Sequence, residues 1–297
     1  MLNNTIAFLA GKGGVGKTAL ASATAGLAAL SGWRVLAVDC DPQGNLAREF
    51  GYMEQSDGGE ALLQAVVNQG QLRVLREVRP NLDVVPGGPR TQDLIHFLEA
   101  KSRNDDAATA AVGLALATVA DNYDLVVIDT PPASNSIHDS INRCVRFVVA
   151  PTSGDAASND GLAGTFEQIM KARTRYGSRI ELLGVVVTFM PANAKAADRE
   201  VRARLRKILG PDVRIFEPSI RLSKKAAIDL RNKEVQAYEY ERLKALNEKA
   251  TPWFEVRRTG TKVESFSTAA AGLASDYQQL TDQILELVVA RIEADTK

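Results

Sequence analysis

Three observations predict an α/β fold with a doubly wound, mainly parallel sheet that has helices on both faces. Short apolar runs alternate along most of the chain with longer segments of helical spacing, as in successive βαβ units. The apolar runs are rich in Val and Ile at consecutive positions, which predicts strands buried on both faces of the sheet. The chain has 297 residues, of which 45% are hydrophobic and 24% are charged, enough for one large core or two smaller ones.

The predicted elements follow from this alternation in chain order. Strands are expected at 5–10, 34–39, 82–86, 125–129, 147–151 and 183–188, with a weaker one at 213–216. Helices are expected between them at 17–31, 59–69, 91–120 (with a polar break near 102–106), 159–176 and 194–209. Residues 51–59 are predicted to form a loop, and no internal repeat is visible.

The C-terminal part of the chain has a different composition. Residues 226–250 are rich in Lys, Glu, Arg and Ala and predict a charged helix, and 251–262 are predicted to form a connection. A last helix is expected at 267–294, where apolar residues recur three or four positions apart. We therefore expect a main domain at 1–250 and a C-terminal linker and helix at 251–297, packed on the domain or on a dimer partner.

The overall charge balance gives no general binding preference. Lys and Arg number 36, Asp and Glu also number 36, and the net charge is zero, so any site for a polyanion must be a local patch. The two cysteines, Cys40 and Cys144, are too few for a disulfide framework and fit a reducing compartment. Because no signal peptide or apolar run of ~18 residues is visible, we expect a cytoplasmic protein that does not use a membrane.

The strongest motif is the glycine-rich loop 11–18, GKGGVGKT, which lies between the first strand and the first helix. It fits the phosphate-loop pattern G-x-x-x-x-G-K-[ST], in which backbone N–H groups and a helix N-terminus face phosphate oxygens. Lys17 is expected to contact the β- and γ-phosphates of ATP, and the Thr18 hydroxyl to ligate Mg²⁺. The expected nucleotide-binding residues are Gly11, Lys12, Gly13, Gly14, Val15, Gly16, Lys17, Thr18 and Ala19.

Two other predicted strands end in carboxylates. Asp39 and Asp41 lie in DCDPQGN after the second strand, and Asp129 ends LVVID before Thr-Pro-Pro. Ligands bind at the carboxyl ends of strands in open α/β sheets, so these acids should lie near the phosphate loop. Taken alone, each of these two sequences is typical of an ordinary turn. Beside the loop, they favour a catalytic role, with Asp129 holding Mg²⁺ through water.

These motifs together resemble the ParA/MinD group of P-loop ATPases, over residues 4–235. Lys12 matches the extra lysine of the group's deviant Walker-A loop, KGGVGK[ST], while DCDPQGN and Thr-Pro-Pro are similar to its two switch segments. The resemblance implies a P-loop NTPase fold and an ATP-sandwich homodimer in which Lys12 reaches the partner's ATP. It also implies that Asp41 positions the attacking water and that Asp39 supports the Mg²⁺ shell. The implied catalytic set is Lys12, Lys17 and Asp41, and the metal set is Thr18, Asp39 and Asp129.

A local basic patch is expected toward the C-terminus of the main domain. Residues 195–233 hold twelve basic and five acidic side chains, a segregation that can bind phosphate backbones without sequence preference. ParA proteins bind DNA through basic residues of this part of the fold when they carry ATP. A solvated helix face is the alternative. The candidate DNA contacts are Arg202, Arg206, Arg221, Lys224 and Lys225.

The resemblance favours a ParA-like partition ATPase that positions plasmid or chromosomal DNA on the nucleoid, with slow hydrolysis stimulated by a ParB-like partner. Two alternatives stay open. A membrane-cycling MinD-like ATPase would end in a basic amphipathic helix, whereas acids predominate among the charged residues of 280–297. An ATP-dependent metabolic ligase of the same group would need a substrate pocket that the sequence does not reveal. The cargo and the adenine contacts cannot be read from the residues.

Overall fold

The computed structural model describes residues 2–102, 109–132, 135–191, 193–240, 242 and 269–296. The strands are β1 Leu2–Phe8, β2 Val35–Asp39, β3 Leu75–Arg79, β4 Leu82–Val85, β5 Leu125–Asp129, β6 Val145–Thr152 and β7 Glu181–Val187. The helices are α1 Lys17–Leu30, α2 Leu46–Phe50, α3 Glu60–Asn68, α4 Pro89–Ser102, α5 Ala111–Ala117, α6 Asn135–Cys144, α7 Ala156–Tyr176, α8 Lys195–Leu209, α9 Lys224–Lys233 and α10 Ala269–Thr296.

The seven strands form one sheet in the order β3-β4-β2-β5-β1-β6-β7. All neighbours pair in parallel except β3 and β4, which are antiparallel. The register places Asp39 of β2 opposite Asp129 of β5, and Asp129 opposite Phe8 of β1. The predicted doubly wound α/β fold is confirmed, and the loop after β1 therefore lies beside two strand-end carboxylates.

Helices cover both faces of the sheet because successive strand residues point to opposite sides. On β1, Ile6 and Phe8 belong to the core beneath α1 and α10. Ala7 of β1 and Leu9, the residue that follows the strand, belong to the core beneath α3 to α7. A third, smaller core joins the β6–β7 edge to α8. Both large cores are built from strand residues that are almost completely buried.

The C-terminal helix α10 packs against α1, whose sequence KTALASATAGLAAL is made mostly of small residues. Small side chains let the two helices approach closely. The inward face of α10 carries Leu280, Ile284 and Val288, which are at most 1% exposed. The helix thus completes the core on one face of the sheet.

Several predicted elements differ from the structure. Residues 213–216 do not form a strand but contribute an isolated bridge between Val185 and Ile215. The predicted helix 91–120 consists of α4 and α5, and the predicted helix from 226 begins at Lys224 and breaks at Glu234, whose φ is 52°. The connection predicted at 251–262 lies outside the described residues. Among the described helices, none combines the length and apolar content that crossing a membrane requires.

The packing of α10 can be tested by truncating a buried side chain. Ile284→Ala removes methyl groups from a fully buried position and is expected to lower the free energy of unfolding by about 2–5 kcal/mol. Val289→Ala is the matched control because Val289 lies in the same helix but is 37% exposed. The free energies of unfolding are measured with urea. If the two variants lost equal stability, the assigned packing of α10 would be wrong.

Candidate nucleotide site

The phosphate loop connects the end of β1 to the first turn of α1. Gly14 and Gly16 have φ of 75° and 87°, in the left-handed region that glycine adopts without steric cost. Thr188 at the end of β7 supports the loop, since its hydroxyl donates to the carbonyl of Val15 at 3.1 Å. A Cβ on Gly11 would lie 3.2 Å from the carbonyl oxygen of Gly161 in α7, so α7 packs directly against the loop.

Lys17 begins α1 and is buried, at 6% exposure. Its Nζ donates to the carbonyl oxygen of Lys12 at 3.3 Å, across the loop. Burial lowers the pKa of Lys17, while the carboxylates of Asp129 and Asp41 oppose the shift. The Lys12 carbonyl therefore holds the ammonium group within the loop, and the neighbouring acids favour its charged form.

Asp39 anchors the segment that follows β2. Its two carboxylate oxygens accept from the backbone N–H groups of Asp41 at 2.9 Å and Leu46 at 3.1 Å. Burial raises the pKa of Asp39 well above its ordinary value, and the charge of Asp129 adds to the rise. Since both oxygens already fix the backbone, the geometry fits Asp39 as a support of the metal shell and not as a direct ligand.

Asp129 ends β5 and is completely buried. No hydrogen bond of regular geometry reaches either of its carboxylate oxygens from the described residues, although the nearby Thr18 hydroxyl and Thr130 N–H favour its charged form. Burial raises the pKa of Asp129 to about 7, with Asp41 raising it further and Thr18 and Lys17 opposing the rise. A buried carboxylate without partners is costly, which indicates that a ligand completes this site.

The donor set fits Mg²⁺, which prefers oxygen ligands and retains several waters. The unpartnered oxygens of Asp129 and the hydroxyl of Thr18 would hold the ion, and its charge would keep Asp129 ionised. The described residues contain no group of three His, Cys, Asp or Glu side chains that could bind a metal by themselves. Magnesium here would depend on phosphate oxygens as further ligands, as is usual in nucleotide sites.

The two segments that resemble the switches are tied to the sheet beside the loop. The carboxylate of Asp41, which is 6% exposed, accepts from the backbone N–H of Gln43 at 2.9 Å. Thr130 donates its hydroxyl to the carbonyl of Phe8 at 2.7 Å. His138 Nε2 lies 2.9 Å from the carbonyl oxygen of Pro131, and burial lowers the pKa of His138, so a neutral imidazole donates this bond. Sequence reasoning gave His138 no role.

Lys12, in contrast to Lys17, is partly exposed and pairs with Asp155. Its Nζ lies 3.1 Å from Asp155 Oδ1, and the two side chains are 39% and 51% exposed. Asp155 also caps α7, since it accepts from the backbone N–H of Ser158, and it accepts the hydroxyl of Ser153 at 2.7 Å. The sequence gave no signal for this partner, which lies 143 positions away.

A cleft of about 440 Å³ opens beside the loop. Its walls come from the phosphate loop, from Asp41 and Gln43, from the end of β7 and from the chain between β7 and α9. Two residues of α10, Leu273 and Tyr277, also line it. The cleft has room for an organic group next to the phosphate loop, as the binding of a nucleotide would require.

The predicted DNA contacts divide into two groups. Arg202 is buried and pairs with Asp198 at 3.0 Å and Glu217 at 2.9 Å. Arg221 is bound to Asp276 of α10 at 2.6 Å. Both guanidinium groups form ion pairs within the protein. This arrangement does not fit the prediction that they contact DNA. The remaining candidates, Arg206, Lys224 and Lys225, are exposed.

A phosphate loop after β1, with acids at the ends of β2 and β5, defines the class of P-loop ATPases. The family model described as an AAA domain matches residues 3–182. The chromosome-partitioning ATPase Soj of Thermus thermophilus is 32% identical over 202 residues, which cover 68% of this chain and 75% of Soj. The chain thus belongs to the ParA/Soj family of partition ATPases. A putative replication protein A of Sinorhizobium fredii is 38% identical over 131 residues, 41% of this chain and only 32% of that protein.

Solved structures have the same fold. The structure of apo McdA from Cyanothece superposes with a TM-score of 0.72 at 19% identity, covering 95% of this chain and 99% of McdA. The cobyrinic acid a,c-diamide synthase of Mycobacterium smegmatis, solved with ADP and magnesium, gives a TM-score of 0.65 at 20% identity, covering 89% and 99%. At these identities, the two structures establish the fold alone.

The raised pKa of Asp129 predicts a pH-dependent stability. In the folded protein, Asp129 keeps its proton up to a pH of about 7, whereas in the unfolded chain it loses the proton above its ordinary pKa of 3.8. The free energy of unfolding therefore falls as the pH rises toward about 7. Asp129→Asn removes this loss and is expected to raise the free energy of unfolding of the nucleotide-free protein by about 2 kcal/mol at pH 8. The gain should be smaller at pH 5.

Urea unfolding at pH 5, 6, 7 and 8 measures this effect. Asp124→Asn is the control, because the pKa of Asp124 is lowered by Arg34 and its removal should give no gain at any of these pH values. Identical curves for wild type and Asp129→Asn across the series would contradict the assigned state of Asp129.

Proposed function

We propose that the protein is a ParA-like ATPase that forms an ATP-sandwich homodimer, binds DNA without sequence preference and partitions plasmid or chromosomal DNA. Hydrolysis would be slow alone and stimulated by a ParB-like partner. The observation that carries this proposal is the pair of lysines in one phosphate loop. Lys17 is buried within the loop, whereas Lys12 is partly exposed and bound only through a solvent-accessible ion pair among the described contacts.

The residues support a hydrolytic mechanism with separate tasks. The loop N–H groups and the ammonium of Lys17 bind the phosphate oxygens and offset their negative charge. Asp41 lines the cleft beside the phosphate loop, where its carboxylate can orient a water for attack on the terminal phosphate. Mg²⁺, when bound through Thr18 and Asp129, would neutralise charge that develops on the phosphates. Asp39 keeps Asp41 in place through the backbone.

Lys12 is suited to act on the nucleotide of a second subunit. Exposed ion pairs contribute little net stability, so the bond to Asp155 is exchanged easily for a phosphate contact. Lys12 would then join the catalytic set with Lys17 and Asp41. The dimer would be nucleotide-dependent because a phosphate is needed as the new partner of Lys12.

The exposed basic residues of α8 and α9 form the proposed DNA surface. Arg206, Lys224 and Lys225 are exposed and can reach a phosphate backbone without loss of internal ion pairs. Lys224 also lines the nucleotide cleft, which offers a link between nucleotide and DNA binding. This surface supports a nucleoid-associated protein.

The alternative functions have weaker support. A MinD-like membrane helix would need a free apolar face, whereas Leu280, Ile284 and Val288 of α10 are buried in the core. The ligase alternative rests on fold likeness to the diamide synthase. Turnover above about 1 s⁻¹ without DNA or partner would favour a ligase, because this rate is ordinary for metabolic enzymes.

The dimer is tested by light-scattering mass with and without ATP and Mg²⁺. Asp41→Ala is expected to double in mass with ATP and to retain the dimer, because the attacking water is no longer positioned. Lys12→Ala in the same background is expected to stay monomeric while it still binds ATP through Lys17. A monomeric Asp41→Ala protein at saturating ATP would refute the sandwich dimer.

DNA binding is tested by exchanging the exposed lysines of α9. Lys224→Ala with Lys225→Ala is expected to weaken binding of the ATP-bound protein to random-sequence DNA about tenfold at moderate salt and to reduce the salt slope by about 2. Arg73→Ala with Lys101→Ala removes two exposed charges outside α8 and α9 and serves as the control. Equal losses from both double variants would exclude a specific surface on α9.

A further inference from the structure

We infer that the C-terminal helix α10 is part of the nucleotide site, with Asp276 as a positioning residue that holds one wall of the cleft. The wall is the segment 220–223, between β7 and α9. This inference rests on the proposed binding of ATP in the cleft. It gives α10 a task in nucleotide retention beyond its packing against α1.

Asp276 fixes Arg221 through three hydrogen bonds. Asp276 Oδ2 accepts from the Arg221 backbone N–H at 3.0 Å and from Nε at 2.6 Å, and Oδ1 accepts from Nη2 at 2.7 Å. The carboxylate is buried, with its side chain 6% exposed. Charge-assisted bidentate pairs are strong and directional, so a single acid sets both the backbone and the guanidinium of Arg221.

The segment held by Asp276 is attached on its other side to the end of β7. Ile220 donates its N–H to the carbonyl of Val187 at 2.8 Å, and Leu222 donates to the carbonyl of Met190 at 2.7 Å. Ile220, Arg221 and Leu222 all line the cleft. Because β7 and α10 bind alternate residues of one short segment, release of α10 would free one side of the cleft wall.

The helix also meets the cleft directly. Leu273 and Tyr277, which lie four positions apart on one face of α10, line the cleft on either side of Asp276 in the sequence. Gly272 leaves room for the guanidinium, since a Cβ there would lie 2.6 Å from Arg221 Cζ. The glycine is thus needed for Arg221 to reach Asp276.

The other end of α10 is fixed far from the cleft. Asp295 pairs with Arg179 at 2.7 Å and with Arg146 at 3.3 Å. Arg291 pairs, at a distance of 2.8 Å, with Glu181, the first residue of β7. The side chain of Asp295 is 29% exposed and that of Asp276 only 6%, but only the Asp276 end borders the cleft, so Asp295 provides a control for the loss of an ion pair from α10.

The test measures the Kd of a fluorescent ATP analogue with Mg²⁺ for the full chain and its variants, beside urea unfolding of each nucleotide-free protein. Asp276→Ala and the isosteric Asp276→Asn are expected to raise the Kd about tenfold. Asp295→Ala is expected to lower stability less, because its ion pair is more exposed, and to leave the Kd within about twofold of wild type. The Arg221→Lys variant should bind the ATP analogue more tightly than the Arg221→Ala variant.

Gly272→Ala separates positioning from helix stability. Alanine favours a helix interior over glycine, so a purely structural role predicts unchanged or tighter binding. Displacement of Arg221 predicts a raised Kd instead. An Asp276→Asn protein with the wild-type Kd, or an equal rise in Kd for Asp295→Ala, would overturn the inference. A wild-type protein that binds no ATP analogue would refute the proposed function and this inference with it.

Discussion

Buried negative charge at the joined ends of β2 and β5 is the constraint around which the site is built. Parallel pairing places Asp39 directly opposite Asp129, and both are excluded from water. Burial favours the protonated form of each acid, while burial disfavours the charged form of Lys17 nearby. The charged forms of Asp39, Asp129 and Lys17 therefore do not fully stabilise one another. A triphosphate with a divalent cation adds the missing charges of both signs, and the glycine loop leaves room for it.

Much of the fold could be predicted because the sheet is buried on both faces. Continuous apolar runs identified five of the seven strands within a few residues and a sixth, β1, shifted toward the loop. The strand β3, LREVR, was missed because it lies at the sheet edge, where charged side chains remain solvated. The helix α6, NSIHDSINRC, was missed although Ile137, Ile141 and Cys144 recur at helical spacing, because the polar residues between them are typical of a connection. The break at Glu234 depends on tertiary contacts that a helical composition does not reveal.

The nucleotide site was predictable to the extent that local sequence determines it. Loop and strand-end motifs lie in contiguous residues, so Lys17, Asp41 and Asp129 were placed together by topology alone. The partners of Arg202 and Arg221 required the structure, since charge counting does not tell an exposed guanidinium from a paired one. One signal was available: Asp198 precedes Arg202 by four positions in a helix, the spacing of an ion pair. Nothing comparable pointed to Asp276.

The different surroundings of the two loop lysines fit different demands. In the proposed ATPase, Lys17 would bind the same nucleotide in every state, so a buried position, fixed by the carbonyl of Lys12, costs no rearrangement. In the proposed dimer, Lys12 must exchange partners each time subunits associate and separate. A buried ion pair would make that exchange slow, because breaking it strands a charge in a nonpolar environment. The exposed bond to Asp155 avoids this penalty, since water solvates both groups when they separate. Reversible association therefore requires that the contact of Lys12 within its own subunit be weak.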